Sequence, residues 1–180
     1  MNILVVVDMQ NDFVTGVLGT PEARAIVPYV VGRVVDGINR GEELLFTRDT
    51  HGPDYLATQE GRRLPVPHCL RGTEGWEIIP QLAEDAAHPL DKNAFASRDL
   101  GALVRARDED LRRQGRPGVE RVTLIGVCTD ICVISNAMLL KAFVPEAEIR
   151  VEAACCAGVT PESHRTALAA MQACQITVEE

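Results

Sequence analysis

Two cysteines stand four positions apart in the stretch GVCTDICV, which covers residues 126–133. The stretch follows a hydrophobic run and opens a helical pattern, and Thr129 is predicted to cap that helix. A cysteine thiol becomes a strong nucleophile where a neighbouring base or cation favours the thiolate, and the start of a helix adds partial positive charge. Local chemistry alone does not choose between Cys128 and Cys132. Both thiols could also serve redox sensing or simple packing.

Two charged residues stand at the ends of other apolar runs. Asp8 comes directly after ILVVV, and Lys92 ends the run AHPLDK. A base or a cation of this kind could activate a cysteine if the fold brought them together. Taken alone, Asp8 could equally cap a turn or pair with an arginine, and Lys92 could be a solvated surface residue.

A third group of residues lies in the segment RDTHGPDYLATQEGRRLPVPHC. Asp49 and His51 are two positions apart, so on an extended backbone their side chains face the same side. Glu60 and His68 follow within the same segment. Such a mixture of histidines and carboxylates suits a catalytic divalent metal, with zinc, manganese and iron as candidates, that leaves positions open for water or substrate. The alternative is that both histidines are ordinary loop residues.

Strand-like and helix-like stretches alternate along the chain. Continuous apolar runs, typical of buried parallel strands, occur at residues 3–8, 43–49, 87–92, 122–127, 147–154 and 175–180. Helical patterns occur at residues 26–39, 98–114, 129–143 and 160–174. The alternation predicts a three-layer α/β fold in which the residues at the carboxyl ends of the strands meet. The segment 51–76 is predicted to be a long ordered loop with a functional role.

The composition is that of a globular protein and argues against several classes of function. The 180 residues suit one domain, 1–180, and 46% of them are hydrophobic. A net charge of -8 argues against a nucleic-acid partner, since such surfaces need clustered lysine and arginine. No apolar run is long enough to span a membrane and no export signal precedes the first strand, so we expect a cytosolic protein with no membrane partner. The six cysteines are then expected to be free thiols, four of them as small buried hydrophobic residues: Cys69, Cys155, Cys156 and Cys174.

Three motifs occur in an order typical of one family. VVVDMQNDF at residues 5–13, Lys92 within DKNAFAS and GVCTDIC at residues 126–132 resemble the isochorismatase-like cysteine hydrolases. The candidate metal ligands look like those of the nicotinamidase branch. The resemblance implies a six-stranded, mostly parallel sheet flanked by helices. It also implies hydrolysis of a small-molecule amide by a cysteine nucleophile.

By motif position, the resemblance assigns Asp8, Lys92 and Cys132 as the catalytic residues. Asp8 would take the thiol proton, Lys92 would hold Asp8 and the thiolate in place, and Cys132 would attack the carbonyl. Cys128 would lend only its backbone N–H, which would form an oxyanion hole with the N–H of Cys132. The family also implies a cis peptide bond between Val127 and Cys128.

The same resemblance implies one divalent metal ion, with zinc as the first choice. Its ligands would be Asp49, His51 and His68, with Glu60 in a fourth position that varies among nicotinamidases. In that branch the metal binds the pyridine nitrogen of nicotinamide.

The expected substrate contacts are Phe13 and Tyr55. Tyr55 would replace a tryptophan that some relatives carry just before His68. The favoured reaction is hydrolysis of nicotinamide to nicotinate and ammonia through a cysteine thioester. A metal-free amidase for a carbamoyl or ureido compound is the nearest alternative, and a non-catalytic thiol domain is a second. His164 is interpreted as structural, and a homo-oligomer is expected from exposed apolar helix faces and family habit.

Overall fold

The central sheet contains six strands, and all of them run parallel. A computed structural model describes all 180 residues. The strands are β1 (Asn2–Val7), β2 (Glu43–Asp49), β3 (Leu90–Lys92), β4 (Arg121–Val127), β5 (Glu148–Ala157) and β6 (Thr177–Glu179). Their order across the sheet is β3-β2-β1-β4-β5-β6, and every neighbouring pair is parallel. The predicted α/β fold with a six-stranded, mostly parallel sheet is confirmed.

Helices cover both faces of this sheet. They are α1 (Asn11–Val14), α2 (Pro21–Asn39), α3 (Gln59–Arg63), α4 (Arg98–Arg113), α5 (Ile134–Phe143) and α6 (Pro161–Ala173). The side chains of β1 alternate between the two faces. Ile3, Val5 and Val7 pack with α4, α5 and α6, whereas Leu4 and Val6 pack with α2. None of these helices is both long and apolar enough to cross a membrane.

The strand order brings four chain segments to one edge of the sheet. β1 and β4 lie side by side where the order reverses, and α/β proteins place their sites outside the strand ends at such a point. Asp8 follows β1, Asp49 ends β2, Lys92 ends β3 and Cys128 follows β4. The register of β2 against β3 pairs Asp49 directly with Lys92. The predicted site residues therefore start from neighbouring positions.

The close approach of β4 to β1 depends on Gly126. Its backbone φ is +112°, and a Cβ atom here would collide with the carbonyl oxygen of Val7. Glycine alone adopts this conformation at no steric cost. The pairing of β4 with β5 also shifts between Leu124 and Gly126. The chain is thus displaced from regular pairing just before it reaches Cys128.

The helix after β1 is longer than its apolar pattern predicted. α2 begins at Pro21 instead of residue 26, because Thr20 caps it by accepting a hydrogen bond from Ala23 N–H at 3.0 Å. Thr20 and Pro21 open α2 in the same way that a Thr-Pro pair opens α6. The cap, and not the apolar periodicity, therefore sets the start of this helix.

Other element bounds differ from the prediction where pairing decides them. β3 is limited to three residues because only Thr47–Asp49 of β2 pair with it. β5 continues to Ala157 because its second half pairs with the end of β4. The segment 51–76 is not a plain loop, since it contains α3 and 3-10 turns at Tyr55–Ala57 and Glu74–Trp76.

All six cysteines are free thiols, as expected. Cys69, Cys155 and Cys156 are buried, but Cys174 is exposed. The prediction of a buried Cys174 is wrong because the residue follows the last turn of α6, beyond the buried face of that helix.

Candidate active site and metal centre

Asp8, Lys92 and Cys132 meet at the carboxyl edge of the sheet. Lys92 Nζ lies 2.7 Å from Asp8 Oδ2 and 3.5 Å from Cys132 Sγ. All three side chains are buried, and Thr47 Oγ1 donates a 2.7 Å hydrogen bond to Asp8 Oδ1. The structure therefore brings together the three residues that the motifs singled out as catalytic.

Asp8 reaches this position through an uncommon backbone conformation. Its φ of 48° lies in the left-handed region, which residues with a Cβ atom rarely adopt. Asp8 N–H donates to Thr47, and Gln10 N–H donates to the Asp8 carbonyl at 2.7 Å. A conformation of this kind, held by its surroundings, is common at functional sites.

Burial sets the protonation of this cluster. It raises the pKa of the Asp8 carboxyl, and Lys92 opposes that shift. It also raises the pKa of the Cys132 thiol, and the negative charge of Asp8 adds to the effect. Burial lowers the pKa of Lys92, but attraction to Asp8 and Cys132 outweighs it and raises that pKa well above its usual value. The resting cluster thus holds a protonated thiol beside an ammonium, so Cys132 has to give up its proton as it reacts.

Cys132 lies in a wide helical turn that precedes α5. The turn, Thr129–Val133, is π-helical, and such turns are frequent at functional sites. Thr129 does not cap the helix, because it is buried and its Oγ1 lies 2.8 Å from His164 Nδ1. The predicted capping role is therefore wrong. The same contact gives His164 a structural role.

The backbone around Cys128 has features of an oxyanion-binding site. The peptide bond between Val127 and Cys128 is cis, as the resemblance implied. Cys128 N–H donates no hydrogen bond within the chain, and both Cys128 and Cys132 line a cavity. Burial raises the pKa of the Cys128 thiol to about 12. This cysteine thus offers a free N–H rather than a thiolate.

The four predicted metal ligands also converge. One donor atom from each of Asp49, His51, Glu60 and His68 lies within 4.8 Å of the others. His51 Nε2 lies 2.8 Å from Asp49 Oδ2, and His68 Nε2 lies 3.6 Å from the same oxygen. Glu60 Oε1 lies 3.8 Å from each of these Nε2 atoms. The segment 51–76 therefore folds so that its donor atoms point at one place.

The hydrogen bonds around this group fit a divalent metal. His68 Nδ1 lies 2.8 Å from the Val66 carbonyl, which can only accept, so Nδ1 carries the proton and Nε2 offers a lone pair. His51 Nε2 is buried and, despite its short distance to Asp49, has no hydrogen-bond partner. Two imidazole nitrogens and two carboxylates in this arrangement suit zinc, manganese or iron.

A cavity of about 510 Å³ borders both groups of residues. Its lining includes Cys128, Cys132 and three of the candidate metal ligands, Asp49, Glu60 and His68. The other residues that line it are mostly hydrophobic. A small molecule in this cavity could therefore touch the thiol and a bound metal at the same time.

Of the two predicted substrate contacts, one reaches the cavity. Phe13 lines it, with its ring centroid 5.6 Å from that of His68. Tyr55 is not among the lining residues. It is buried with its ring centroid 4.6 Å from that of His51, and its hydroxyl donates to the Leu64 carbonyl at 2.9 Å. The expected contact between Tyr55 and the substrate is corrected accordingly: this ring packs against the candidate metal ligands.

Comparison with known proteins identifies the family of this chain. The family model described as the Isochorismatase domain matches residues 2–180. The chain belongs to the isochorismatase family. A relative, the nicotinamidase/pyrazinamidase of Mycobacterium tuberculosis, is 30% identical over 156 residues, which cover 76% of this chain and 77% of that protein.

Two solved structures are similar over almost all of this isochorismatase-family chain. The pyrazinamidase of Pyrococcus horikoshii in complex with zinc has a TM-score of 0.79 and 29% identity, covering 99% of this chain and 98% of that one. The N-carbamoylsarcosine amidase of Thermoplasma acidophilum has a TM-score of 0.73 and 28% identity, covering 99% and 95%. The shared fold thus occurs in amidases with different named substrates.

Phe95 is a further aromatic residue of the cavity, and it was not predicted from the sequence. Phe95 lines the cavity and is 47% exposed. Its carbonyl accepts a 3.1 Å hydrogen bond from the buried Asn136 side chain, which also donates to Cys132 O at 2.8 Å and accepts from Ser97 N–H at 2.9 Å. An aromatic residue three positions after Lys92 was the available signal, but no periodicity shows where its ring points.

Gln10 supports the candidate metal centre and was also not predicted. It is fully buried, and its Nε2 donates to the carbonyls of Asp49 and Trp76 at 2.8 and 2.9 Å. Its Oε1 accepts from Asp49 N–H at 2.7 Å. The signal was an amide residue just after a buried strand, within the motif that also carries Asp8.

Proposed function

We propose that the protein is a metal-dependent cysteine amidohydrolase that converts nicotinamide and water to nicotinate and ammonia. The observation that carries the proposal is that Cys132 and three of the four convergent candidate metal ligands, Asp49, Glu60 and His68, line one cavity. A ring nitrogen held at a metal and a carboxamide held at a thiol require this proximity. The nicotinamidase/pyrazinamidase relative and the zinc-bound pyrazinamidase structure support the same substrate class.

The reaction begins with the thiol of Cys132. Its proton passes to Asp8 while the sulfur attacks the carboxamide carbon, and Lys92 holds both partners through its contacts of 2.7 and 3.5 Å. The oxyanion of the tetrahedral intermediate accepts hydrogen bonds from the N–H groups of Cys128 and Cys132, and one such donor typically contributes about 3 to 4 kcal/mol. Asp8 then returns the proton to the leaving ammonia.

The second half of the reaction releases the acid. A water molecule attacks the thioester carbon, and Asp8 accepts its proton before the Cys132 thiol is restored. Asp49, His51, Glu60 and His68 would hold a divalent ion, which would supply Lewis acidity towards the ring nitrogen of the substrate. We propose zinc for this ion, in line with the zinc complex of the similar pyrazinamidase.

We also propose that the protein is cytosolic and forms a homo-oligomer. Six free cysteines, most of them buried, suit a reducing compartment, which supports a cytosolic protein. A homo-oligomer is supported by large hydrophobic residues exposed on α2, namely Tyr29, Val35 and Ile38. A net charge of -8 supports a small-molecule partner over nucleic acid.

Ammonia release tests the proposed function. Purified protein is incubated with nicotinamide, pyrazinamide or N-carbamoylsarcosine, with and without a chelator, and zinc, manganese or iron is then added back. We expect ammonia from nicotinamide, loss of that activity on chelation and recovery with one of the metals. Chelator-resistant turnover of N-carbamoylsarcosine alone would favour a metal-free carbamoyl amidase. No ammonia from any amide would favour a non-catalytic thiol domain.

A further inference from the structure

The cavity is larger than the proposed substrate requires. Its volume of about 510 Å³ lies within the range of roughly 300 to 1,000 Å³ that is typical of sites for drug-sized ligands. Nicotinamide is a single ring with one carboxamide group, so it would fill only the part near Cys132 and the candidate metal ligands. The rest of the space is bordered mainly by hydrophobic side chains, including Leu18, Leu64 and Val159.

Arg63 is the only arginine or lysine that lines this cavity. It ends α3 and is exposed, and its side chain forms neither an ion pair nor a hydrogen bond within the chain. The adjacent Arg62, in contrast, donates to the Ala57 carbonyl and does not line the cavity. A guanidinium carries five N–H donors in a fork that matches a carboxylate, and none of those of Arg63 is used by the protein.

Glu60 precedes Arg63 by three positions on α3, but its carboxylate lies near two histidines instead of the guanidinium. Side chains three positions apart on a helix are neighbours, with Cβ atoms roughly 5–6 Å apart. Glu60 Oε1 nevertheless lies 3.8 Å from the Nε2 atoms of His51 and His68 and makes no ion pair with Arg63. The charge of Arg63 is therefore uncompensated about one helical turn from the candidate metal ligands.

We propose that the cavity takes an amide larger than nicotinamide and that Arg63 binds a carboxylate on the part of the substrate remote from the amide. This inference rests on the proposed amidase function and narrows its substrate class. The amide carbon lies at Cys132, an apolar body lies along the hydrophobic walls, and the carboxylate pairs with the fork of Arg63. Arg63 is then a specificity-determining residue that plays no part in the chemical step.

Paired substrates test the charge preference. Nicotinamides that carry a carboxymethyl group at each free ring carbon in turn are compared with their methyl esters, and kcat/KM is measured from ammonia release. An exposed ion pair changes an equilibrium constant by up to about fivefold, so at least one acid should be preferred over its ester by a factor of about two to five. Arg63→Met should bring the acid-to-ester ratio to about one, whereas the matched variant Arg62→Met should leave the ratio unchanged.

A binding measurement separates this inference from the proposed function. The same acids and esters are titrated calorimetrically into metal-loaded Cys132→Ala, with and without Arg63→Met, so that no turnover is needed. If acids bind more tightly than esters only when Arg63 is present, the carboxylate site stands even if no amide is hydrolysed. If nicotinamide is hydrolysed but acids and esters behave alike, the function stands and the inference is overturned. A preference that survives Arg63→Met, or no binding and no turnover of any compound, also overturns it.

Discussion

Asp49 and Lys92 join the candidate metal centre to the catalytic cluster. Asp49 Oδ1 lies 3.2 Å from Lys92 Nζ, while Asp49 Oδ2 lies 2.8 Å from His51 Nε2. One carboxylate therefore faces the ammonium with one oxygen and the imidazoles with the other. A change at Asp49 is expected to disturb both groups, and a change at His51 mainly one.

Substitutions of Asp49 and His51 should both reduce the amount of bound metal but should differ in how much activity added zinc restores. We expect both Asp49→Asn and His51→Ala to lose bound metal, since each removes one of the convergent donors. Elemental analysis after gel filtration measures the metal per chain, and His88→Ala, which alters an exposed histidine outside the group, is the control. Saturating zinc should restore more activity to His51→Ala than to Asp49→Asn, because only the latter also alters the surroundings of Lys92. Full metal content in both variants would contradict the assigned ligands.

Alanine substitutions of the two cysteines in GVCTDICV should have different effects on ammonia release. Cys132→Ala is expected to lower ammonia release by about a thousandfold or more, because it removes the nucleophile. Cys128→Ala keeps the backbone N–H and should stay within about tenfold of the parent protein. Initial rates with nicotinamide measure both effects. Loss of activity in Cys128→Ala with activity kept in Cys132→Ala would reverse the assignment.

Gln10→Ala should destabilise the fold near the candidate metal centre. The change leaves Asp49 N–H and the carbonyls of Asp49 and Trp76 without their buried partner. An unsatisfied buried group costs about 1 to 3 kcal/mol, so the free energy of unfolding should fall by at least that amount. Urea titration measures it, with the exposed Gln172→Ala as the control. An equal effect of both changes would show that the Gln10 bonds contribute nothing specific.

Phe95→Ala should weaken substrate binding more than it slows the chemical step. The ring borders the cavity, and an aromatic contact is worth about 0.5 to 1.5 kcal/mol beyond its buried area. KM for nicotinamide is therefore expected to rise severalfold with little change in kcat. Tyr29→Ala removes an exposed aromatic residue outside the cavity and should alter neither constant. A drop in kcat at constant KM would instead indicate that Phe95 positions Cys132.

Acid should weaken an ion-pair network between β4 and β5. Arg121 Nε and an Arg150 terminal nitrogen lie 2.7 and 3.0 Å from the Glu148 carboxylate. The hydrogen bond from Arg121 is the largest cause that lowers the pKa of Glu148, to about 2 from 4.5. Because the folded-state pKa is the lower one, this stabilisation is present above about pH 4.5 and is lost as the pH falls towards 2.

Glu148→Gln measures that contribution. The pairs are partly exposed, so we expect a loss of about 0.5 to 1 kcal/mol in the free energy of unfolding at pH 7. The difference from the parent protein should shrink as the pH falls below 4.5. Glu146→Gln, at an exposed glutamate without an ion pair, is the control. A difference that stays constant from pH 7 to 2.5 would rule out the assigned linkage.

The residues at strand ends were predictable because a parallel sheet collects them at one edge. Apolar runs located Asp8, Asp49 and Lys92, and spacing grouped the metal ligands. Local physics could not choose between Cys128 and Cys132, since both stand at the start of a helical pattern, and the choice came from the three motifs together. Those motifs covered the whole catalytic cluster.

Side-chain directions in irregular segments were not predictable. Tyr55 was expected to face the substrate, but a hydrogen bond to Leu64 turns it against the histidines. Phe95 lies in a segment without helix or strand periodicity, so its position in the cavity depends on Asn136. Thr129 does not cap the helix because its hydroxyl is in contact with the imidazole of His164. For Phe95 and Thr129 the deciding contact is with a residue 41 and 35 positions away in the sequence, which no local pattern can reveal.

The buried amide of Asn136 links an aromatic residue that lines the cavity to the turn that carries the nucleophile. It ties the carbonyl of Phe95 to the carbonyl of Cys132, so the wall that carries the aromatic ring is fixed to the turn that carries the nucleophile. An outward movement of Phe95 would therefore break these bonds or shift the backbone of Cys132. Arg63 and Leu64 line the same cavity, are exposed and have no hydrogen bond to that turn, so they can move to admit a ligand while Cys132 stays in place.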